Sequence, residues 1–286
     1  MNSYLSKLTE TLRETCAPDL FTWLEQALMQ ISDSDDIENE LARLSAMARR
    51  KMGNGHLDPE LAPIVTALGE LNIGGWPVAD AARTALTLKA IETADGNAQS
   101  LVEFLFRHGD EAERAAIARA LSLLDTGTAL KPLLLEAGRA NSLLLVSAVS
   151  LGNPYPAAHY SESEFNQLVL KALFLGLPIE PVVGLEQRCN PELSRMCEDY
   201  YDERTAAQRT VPVDIWLALG PCASSRGESL MLEHLSHDSP GHRCYAATAI
   251  GRRLTDHPRL RDALASRKKT ETNKRVLSAL NAVLAE

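Results

Sequence analysis

The chain has 286 residues, of which 45% are hydrophobic and 5% aromatic, and its formal net charge is -9. This length and apolar content can bury a large core, as one elongated domain or two compact ones. The acidic balance excludes broad nucleic-acid binding, which needs an excess of Lys and Arg to neutralise phosphates.

The N-terminal residues and the cysteines predict a cytoplasmic location. No apolar core of a signal peptide is visible near the start. The five cysteines are spread without a pairing pattern, which fits a reducing compartment. The best apolar run, residues 143–151, is too short to span a bilayer. We therefore expect a protein that is not transmembrane.

Helical periodicity recurs along most of the chain, and the alternation typical of strands is nearly absent. Apolar stripes of helical spacing lie within 23–31, 37–48 and 117–124. Pro77 opens a further helix. Glycine-containing turn and helix-stop signals such as 52–55 separate these stretches.

Helices rich in small residues reappear at intervals, at 115–121, 246–252 and 275–280. Such residues favour closely packed antiparallel helix pairs, as in HEAT-type repeats. We predict an all-α fold, a HEAT-like stack of αα-hairpins that forms one domain over 1–286. A globular helical bundle is the alternative.

Residues 153–216, here named the Pro-rich segment, interrupt this regularity. The stretch 153–221 holds seven of the fourteen prolines. Because proline is excluded from helix interiors, we expect an irregular insertion here, with an extended connector at 153–160. Ser161 and Glu164 then form a capping box that begins a helix reaching about Leu175.

Two polar side chains stand out on that helix. Asn166 lies inside its apolar arc, so its amide needs partners. It either hydrogen-bonds the preceding backbone and fixes the 153–160 connector, or it orients a ligand. Lys171 is either solvated or salt-bridged, or it contributes to an anion site.

Arg204 lies near the centre of an apolar arc on a helix that Asn190 caps. Guanidinium keeps its proton, so a buried Arg204 requires a carboxylate or an anionic ligand. The structural alternative is an ion pair with Asp199, Glu162 or Asp214. The functional alternative is an anion site shared with Lys171 or Arg209.

Four runs of the Pro-rich segment resemble the EboA family: Asn153-Pro154-Tyr155-Pro156, residues 164–174, 199–209 and 212–216. That family is encoded beside a UbiA-type membrane prenyltransferase in bacterial gene clusters linked to metabolite traffic. The resemblance implies a role in making or moving a secondary metabolite. It carries over no established catalytic residues, and the flanks resemble the family only in helical character.

These observations favour a noncatalytic scaffold or carrier that binds a small anionic or amphipathic ligand, or a partner protein, at 153–216. The candidate ligand-binding residues are Asn153, Tyr155, His159, Asn166, Lys171, Tyr200, Arg204, Arg209 and Trp216. Arg204 and Arg209 would supply charge, Asn166 orientation and the aromatic residues contact area. The alternative is an enzyme that modifies a prenylated metabolite, with His159 or Glu164 in proton transfer.

No metal or cofactor is expected. His234, His237 and His242 do not follow a known zinc spacing, and no cysteine pair supports them. Neither a glycine-rich phosphate loop nor a nucleophile elbow is present.

The C-terminal part, 241–286, has ten Lys and Arg against four Asp and Glu. It is either the polar cap that a helical stack needs, or a surface for an acidic membrane or partner. The expected partners are a small-molecule metabolite or a protein such as the membrane prenyltransferase.

Overall fold

The computed structural model describes residues 3–94, 98–124 and 127–285. Within these ranges it contains seventeen α-helices and a hairpin of two short strands, which confirms the all-α class. The chain divides into two compact units, residues 1–160 and 161–286. The HEAT-like stacking and the single domain expected from the sequence stay predictions.

The first unit contains nine helices and the hairpin among its described residues. They are α1 (Ser3–Thr15), α2 (Pro18–Asp33), α3 (Ile37–Met52), β1 (Ile64–Thr66), β2 (Gly69–Leu71), α4 (Val78–Thr93), α5 (Ala98–His108), α6 (Glu111–Ala120), α7 (Lys131–Arg139), α8 (Leu143–Ser150) and α9 (Tyr155–His159), with a 3-10 turn at Leu121–Leu123.

Helix α4 is the centre of the first unit, and α1, α2, α3, α5 and α6 pack against it. Its small residues, such as Ala82, permit close approach on nearly every side. Asp80 and Arg83 are buried with it, and each carboxylate oxygen of Asp80 pairs with one guanidinium, Arg83 or Arg119. Pairing is required because an isolated buried charge is costly.

The hairpin, which the sequence pattern did not indicate, holds the start of the Pro-rich segment. Its strands have three residues each, too few for a clear alternation, with Ile64 opposite Leu71. The backbone N–H of Asn72 donates to the carbonyl of Gly152 over 2.9 Å. Gly152 has φ of 63°, and a Cβ there would lie 2.9 Å from Asn72 Cβ. Only glycine fits this close approach.

The second unit contains eight helices. They are α10 (Glu162–Phe174), α11 (Leu185–Arg188), α12 (Pro191–Ala206), α13 (Trp216–Leu219), α14 (Ser225–His234), α15 (Pro240–Gly251), α16 (Leu260–Thr270) and α17 (Lys274–Ala285). Helix α15 is its core element, and α13, α14, α16 and α17 pack on it.

Capping residues begin α10 and α12, the two longest helices of the Pro-rich segment, as predicted. Ser161 and Glu164 form the capping box of α10, and the side chain of Asn190 accepts from Leu193 N–H at the start of α12. The connector 153–160 differs from the prediction. Residues Tyr155–His159 form the short helix α9 instead of extended chain, because Pro156 lies in the first turn, where proline is tolerated.

Candidate functional site

Asn153 is a structural amide of the first unit. Its side chain is 2% exposed. The Nδ2 group donates to the carbonyls of Ala118 (2.9 Å) and Ala148 (3.1 Å). The Oδ1 atom accepts from Tyr155 N–H (3.0 Å) and from the Ser122 hydroxyl (3.3 Å). All four hydrogen-bonding positions of the amide are therefore used inside the fold.

Tyr155 and His159 lie on α9, also in the first unit. The Tyr155 hydroxyl donates to the Gly127 carbonyl over 2.7 Å, and burial raises its pKa to about 12. The His159 ring centroid lies 4.5 Å from that of Tyr155. Its Nε2 atom is buried and has no hydrogen-bond partner among the described residues. The two rings pack together, and no hydrogen bond between them prepares His159 as a base.

Asn166 is buried in the second unit, and its partner is Asn190. Asn166 Nδ2 donates to Asn190 Oδ1 over 3.1 Å, and Asn190 Nδ2 donates back to Asn166 Oδ1 over 2.9 Å. This reciprocal pair replaces the expected bonds to the preceding backbone. It ties the middle of α10 to the cap of α12, because Asn190 Oδ1 also accepts from Leu193 N–H.

Glu164 and Lys171 lie on the outer side of α10. Glu164 Oε2 accepts from the Ser161 N–H over 2.7 Å, so its carboxylate serves the cap. Lys171 Nζ lies 5.5 Å from the centroid of the Phe174 ring, which is 58% exposed. The pair is a surface cation–π contact.

Arg204 holds the C-terminal turn of α12. Its Nε and Nη2 atoms both donate to the Thr210 carbonyl, over 2.9 and 2.6 Å. Its guanidinium lies 5.8 Å from the Tyr200 ring centroid, and the Tyr200 hydroxyl reaches the Leu173 carbonyl at 3.5 Å. The cation therefore ties the chain that follows α12, at Thr210, back to the last turn of that helix.

Arg204 is half-buried rather than enclosed. The apolar arc of α12 is buried up to Tyr200, but Ala207 is exposed, because α12 ends at Ala206. Two of the three expected carboxylate partners are used elsewhere: Asp199 pairs with Arg195 over 2.6 Å, and Asp214 accepts from the Ile179 N–H over 2.7 Å. Arg209 is exposed.

Trp216 is fully buried in an aromatic cluster that the sequence did not predict. Its indole N–H donates to His242 Nδ1 over 3.0 Å, so His242 is neutral with its proton on Nε2. The rings of His234 and Trp216 have centroids 4.4 Å apart, as do those of His237 and His242. Burial, and then the neighbouring imidazoles, lower the pKa of His242 to about 4.

These histidines are packed aromatic residues. Over the described residues, no group of three or more His, Cys, Asp or Glu side chains is arranged to hold a metal ion. Two buried thiols are similarly unreactive, since burial raises the pKa of Cys189 to about 12 and also raises the pKa of Cys197. Thiolate, the reactive form, is therefore scarce near neutral pH.

The structure brings Tyr200 and Arg204 together, whereas Asn166 and Trp216 each join separate contacts within the second unit. A cavity of about 450 Å³ lies against residues 180–187 of the Pro-rich segment. Its polar residues, Glu180, Tyr245 and Arg275, were absent from the predicted site. Sequence signals for them are weak, because Tyr245 lies within a small-residue helix and Arg275 within a basic stretch.

The described parts of the chain thus define an all-α protein with a ligand-sized cavity beside a proline-rich segment. Across those residues, no helix combines the length and apolar character needed to cross a bilayer. The model of the EboA family, described as metabolite traffic protein EboA, matches residues 4–220. The chain therefore belongs to the EboA family, as the resemblance predicted. No curated protein and no solved structure matches it.

Proposed function

We propose that this protein is a noncatalytic helical carrier or scaffold in metabolite traffic, which holds a small amphipathic or anionic molecule without changing it. Membership of the EboA family supports the traffic role. The absence of a catalytic role is supported by the polar side chains of the Pro-rich segment, whose hydrogen bonds are made within the fold. Asn153, Glu164, Asn166 and Arg204 each hydrogen-bond within their own unit of the fold.

A general acid or base needs a pKa near the working pH and an open path to substrate. Glu164, the carboxylate proposed for proton transfer, is hydrogen-bonded to the helix cap. The buried imidazole of His242 has its pKa lowered to about 4, and the phenol of Tyr155 has its pKa raised to about 12. These groups are suited to structure and binding surface rather than to proton transfer.

The proposed place of action is the cytoplasm, which suits five cysteines that are all free thiols. The proposed partners are a metabolite and a protein, with a membrane prenyltransferase as the candidate that the family resemblance suggests. Exposed cations of α16, including Arg261, Lys268 and Lys269, are the surface we propose for contact with an acidic membrane.

The test is mass spectrometry of small molecules that stay with the purified full-length protein. A carrier retains a compound whose mass equals that of the same compound in the cell extract. Incubation with that compound should leave the mass unchanged, whereas a new product mass would favour the enzyme.

A further inference from the structure

The cavity beside residues 180–187 is built from three parts of the second unit. One wall is the loop and helix α11, and the other two are α15 and α17. Its volume of about 450 Å³ falls within the range of sites for small organic ligands. More than half of its lining residues lie beyond residue 220, outside the range that the family model matches.

Helix α17 leaves the space open because it presents small side chains there. Ser278, Ala279 and Ala282 line the cavity together with Arg275, at the spacing of one helix face. Val276 lies on a different face of α17, and its side chain is buried in the core. The helix thus packs through one face and forms a cavity wall with another.

The floor of the cavity is apolar. Leu185, Leu217 and Val182 contribute buried side chains to it, and Cys244 adds a thiol that is 7% exposed. Burial raises the pKa of the Cys244 thiol, so it behaves as a small apolar group. An apolar part of a ligand would gain free energy by replacing water on this floor.

The polar side of the cavity carries no net charge. The Tyr245 hydroxyl donates to Glu180 Oε2 over 2.7 Å and accepts from Arg275 Nη2 over 2.9 Å. Arg252 pairs with Glu186 over 3.3 Å. Two cations thus face two carboxylates. An anion near either cation would also lie close to the carboxylate linked to that cation, which reduces the attraction.

From these observations we infer that the cavity binds a small amphipathic organic molecule of zero net charge, with its apolar part on the leucine floor and its donor and acceptor groups at the Glu180–Tyr245–Arg275 network. This inference rests on the proposed carrier function and names its site and ligand class. Each network member can exchange one internal hydrogen bond for one to the ligand, so donors and acceptors are both required.

Two matched fluorescent probes test the charge preference. N-phenyl-1-naphthylamine is uncharged, and its 8-sulfonate differs only by the anionic group. The uncharged probe should bind the full-length protein at least about tenfold more tightly. Glu180→Gln, at an exposed position, should strengthen binding of the sulfonate severalfold by leaving one cation in excess. Tighter binding of the sulfonate to the unaltered protein would overturn the inference.

Filling variants test the location. Ala282 lines the cavity at an exposed position, so Ala282→Trp adds a ring at the cavity opening and should weaken binding of the uncharged probe by about tenfold or more. Asn281→Trp, at an exposed neighbour that does not line the cavity, should leave binding unchanged. If Ala282→Trp fails to fold, Ser278→Trp is the replacement on the same face. Equal probe affinity in the filled and control variants would refute the assignment.

The metabolite retained from cells separates this inference from the proposed function. If Ala282→Trp no longer retains the metabolite but Asn281→Trp still does, both the cavity site and the carrier function are supported. Retention in both variants contradicts the cavity assignment and leaves the carrier role standing. Absence of any retained molecule, combined with cavity-dependent probe binding, counts against the carrier role and leaves the cavity site standing.

Discussion

Reciprocal hydrogen bonds between Asn166 and Asn190 join two helices of the second unit at one buried point. Without Asn190, the buried Asn166 amide would lose both of these bonds, whereas Asn190 also bonds the Leu193 N–H and the Arg188 carbonyl. The sequence marks each residue separately, one as a polar residue on an apolar arc and the other as a helix cap. It contains no signal that the two meet, because their separation of 24 positions is set by the Pro-rich loop.

Replacing one member of this pair should destabilise the protein. Asn166→Ala removes the two reciprocal bonds but leaves Asn190 its bonds to Leu193 and Arg188, so we expect a loss of about 1 kcal/mol in the free energy of unfolding. Urea unfolding followed by circular dichroism measures it. Gln167→Ala, at an exposed neighbour on α10, is the control and should change stability little. Equal effects of the two substitutions would show that the amide pair is energetically unimportant.

Glu271 is a second residue whose contacts determine local structure. Its carboxylate is fully buried and accepts from Arg243, Arg267 and the backbone N–H groups of Thr272 and Asn273. The hydrogen bonds from Arg243 lead the causes that lower its pKa to about 2.

This lowered pKa predicts a pH dependence with a definite sign. The folded pKa of about 2 is below the ordinary value of 4.5, so the unfolded chain takes up the proton first. The stabilisation is complete above pH 4.5 and is lost as the pH falls toward 2. Glu271→Gln should therefore remove part of the acid-dependent loss of stability, compared by urea unfolding at pH 7 and 3. The exposed control Asp262→Asn should leave the difference in unfolding free energy between pH 7 and pH 3 unchanged. The same unchanged difference in Glu271→Gln would contradict the prediction.

Among the elements, the hairpin and the turn at Gly152 hold the start of the Pro-rich segment. Gly152→Ala should cost about 1–3 kcal/mol, since φ of 63° is strained for alanine and its Cβ would meet Asn72. Gly75→Ala is the control: its φ is 73° and no atom lies within 4 Å of the added Cβ, so it introduces backbone strain without a steric clash. The melting temperature should therefore fall further in Gly152→Ala than in Gly75→Ala. Equal decreases would show that the contact between Gly152 and Asn72 is not tight.

Helix α16 presents the exposed cations that we propose for an acidic membrane surface. Neutralising Arg261, Lys268 and Lys269 to Gln should abolish sedimentation with vesicles that contain phosphatidylserine, and the parent protein should release from them at high salt. Neutral phosphatidylcholine vesicles are the control. Binding that survives neutralisation, or no binding by the parent protein, would eliminate this surface and leave the polar cap as the interpretation.

Helices with caps and periodic stripes are the elements that local sequence predicts best. The capping box at Ser161 and the Asn190 cap begin α10 and α12 where the pattern placed them. The burial of α4 on nearly every side was not predictable from its own residues, because it depends on the five helices that pack around it. The surroundings of Arg204 were also not predictable from local sequence. The apolar face of α12 is present, but its C-terminal end is exposed because of where the chain turns after the helix.

At the scale of the whole molecule, we propose that this EboA-family protein holds a metabolite in its cavity, while Asn153, Asn166 and Arg204 keep their bonds within the fold. Family membership could be predicted from the Pro-rich segment, because it depends on contiguous motifs. The cavity could not, because its lining joins residues 180–187 with α15 and α17, more than 50 positions later, whose spacing has no local signature.

Native mass spectrometry of the intact protein, purified from cells without denaturation, tests the carrier account most directly. The account predicts one small organic molecule per chain, released with unchanged mass and reduced in abundance in Ala282→Trp relative to Asn281→Trp. A protein that carries no small molecule, or one that converts the molecule to a product of different mass, would contradict it.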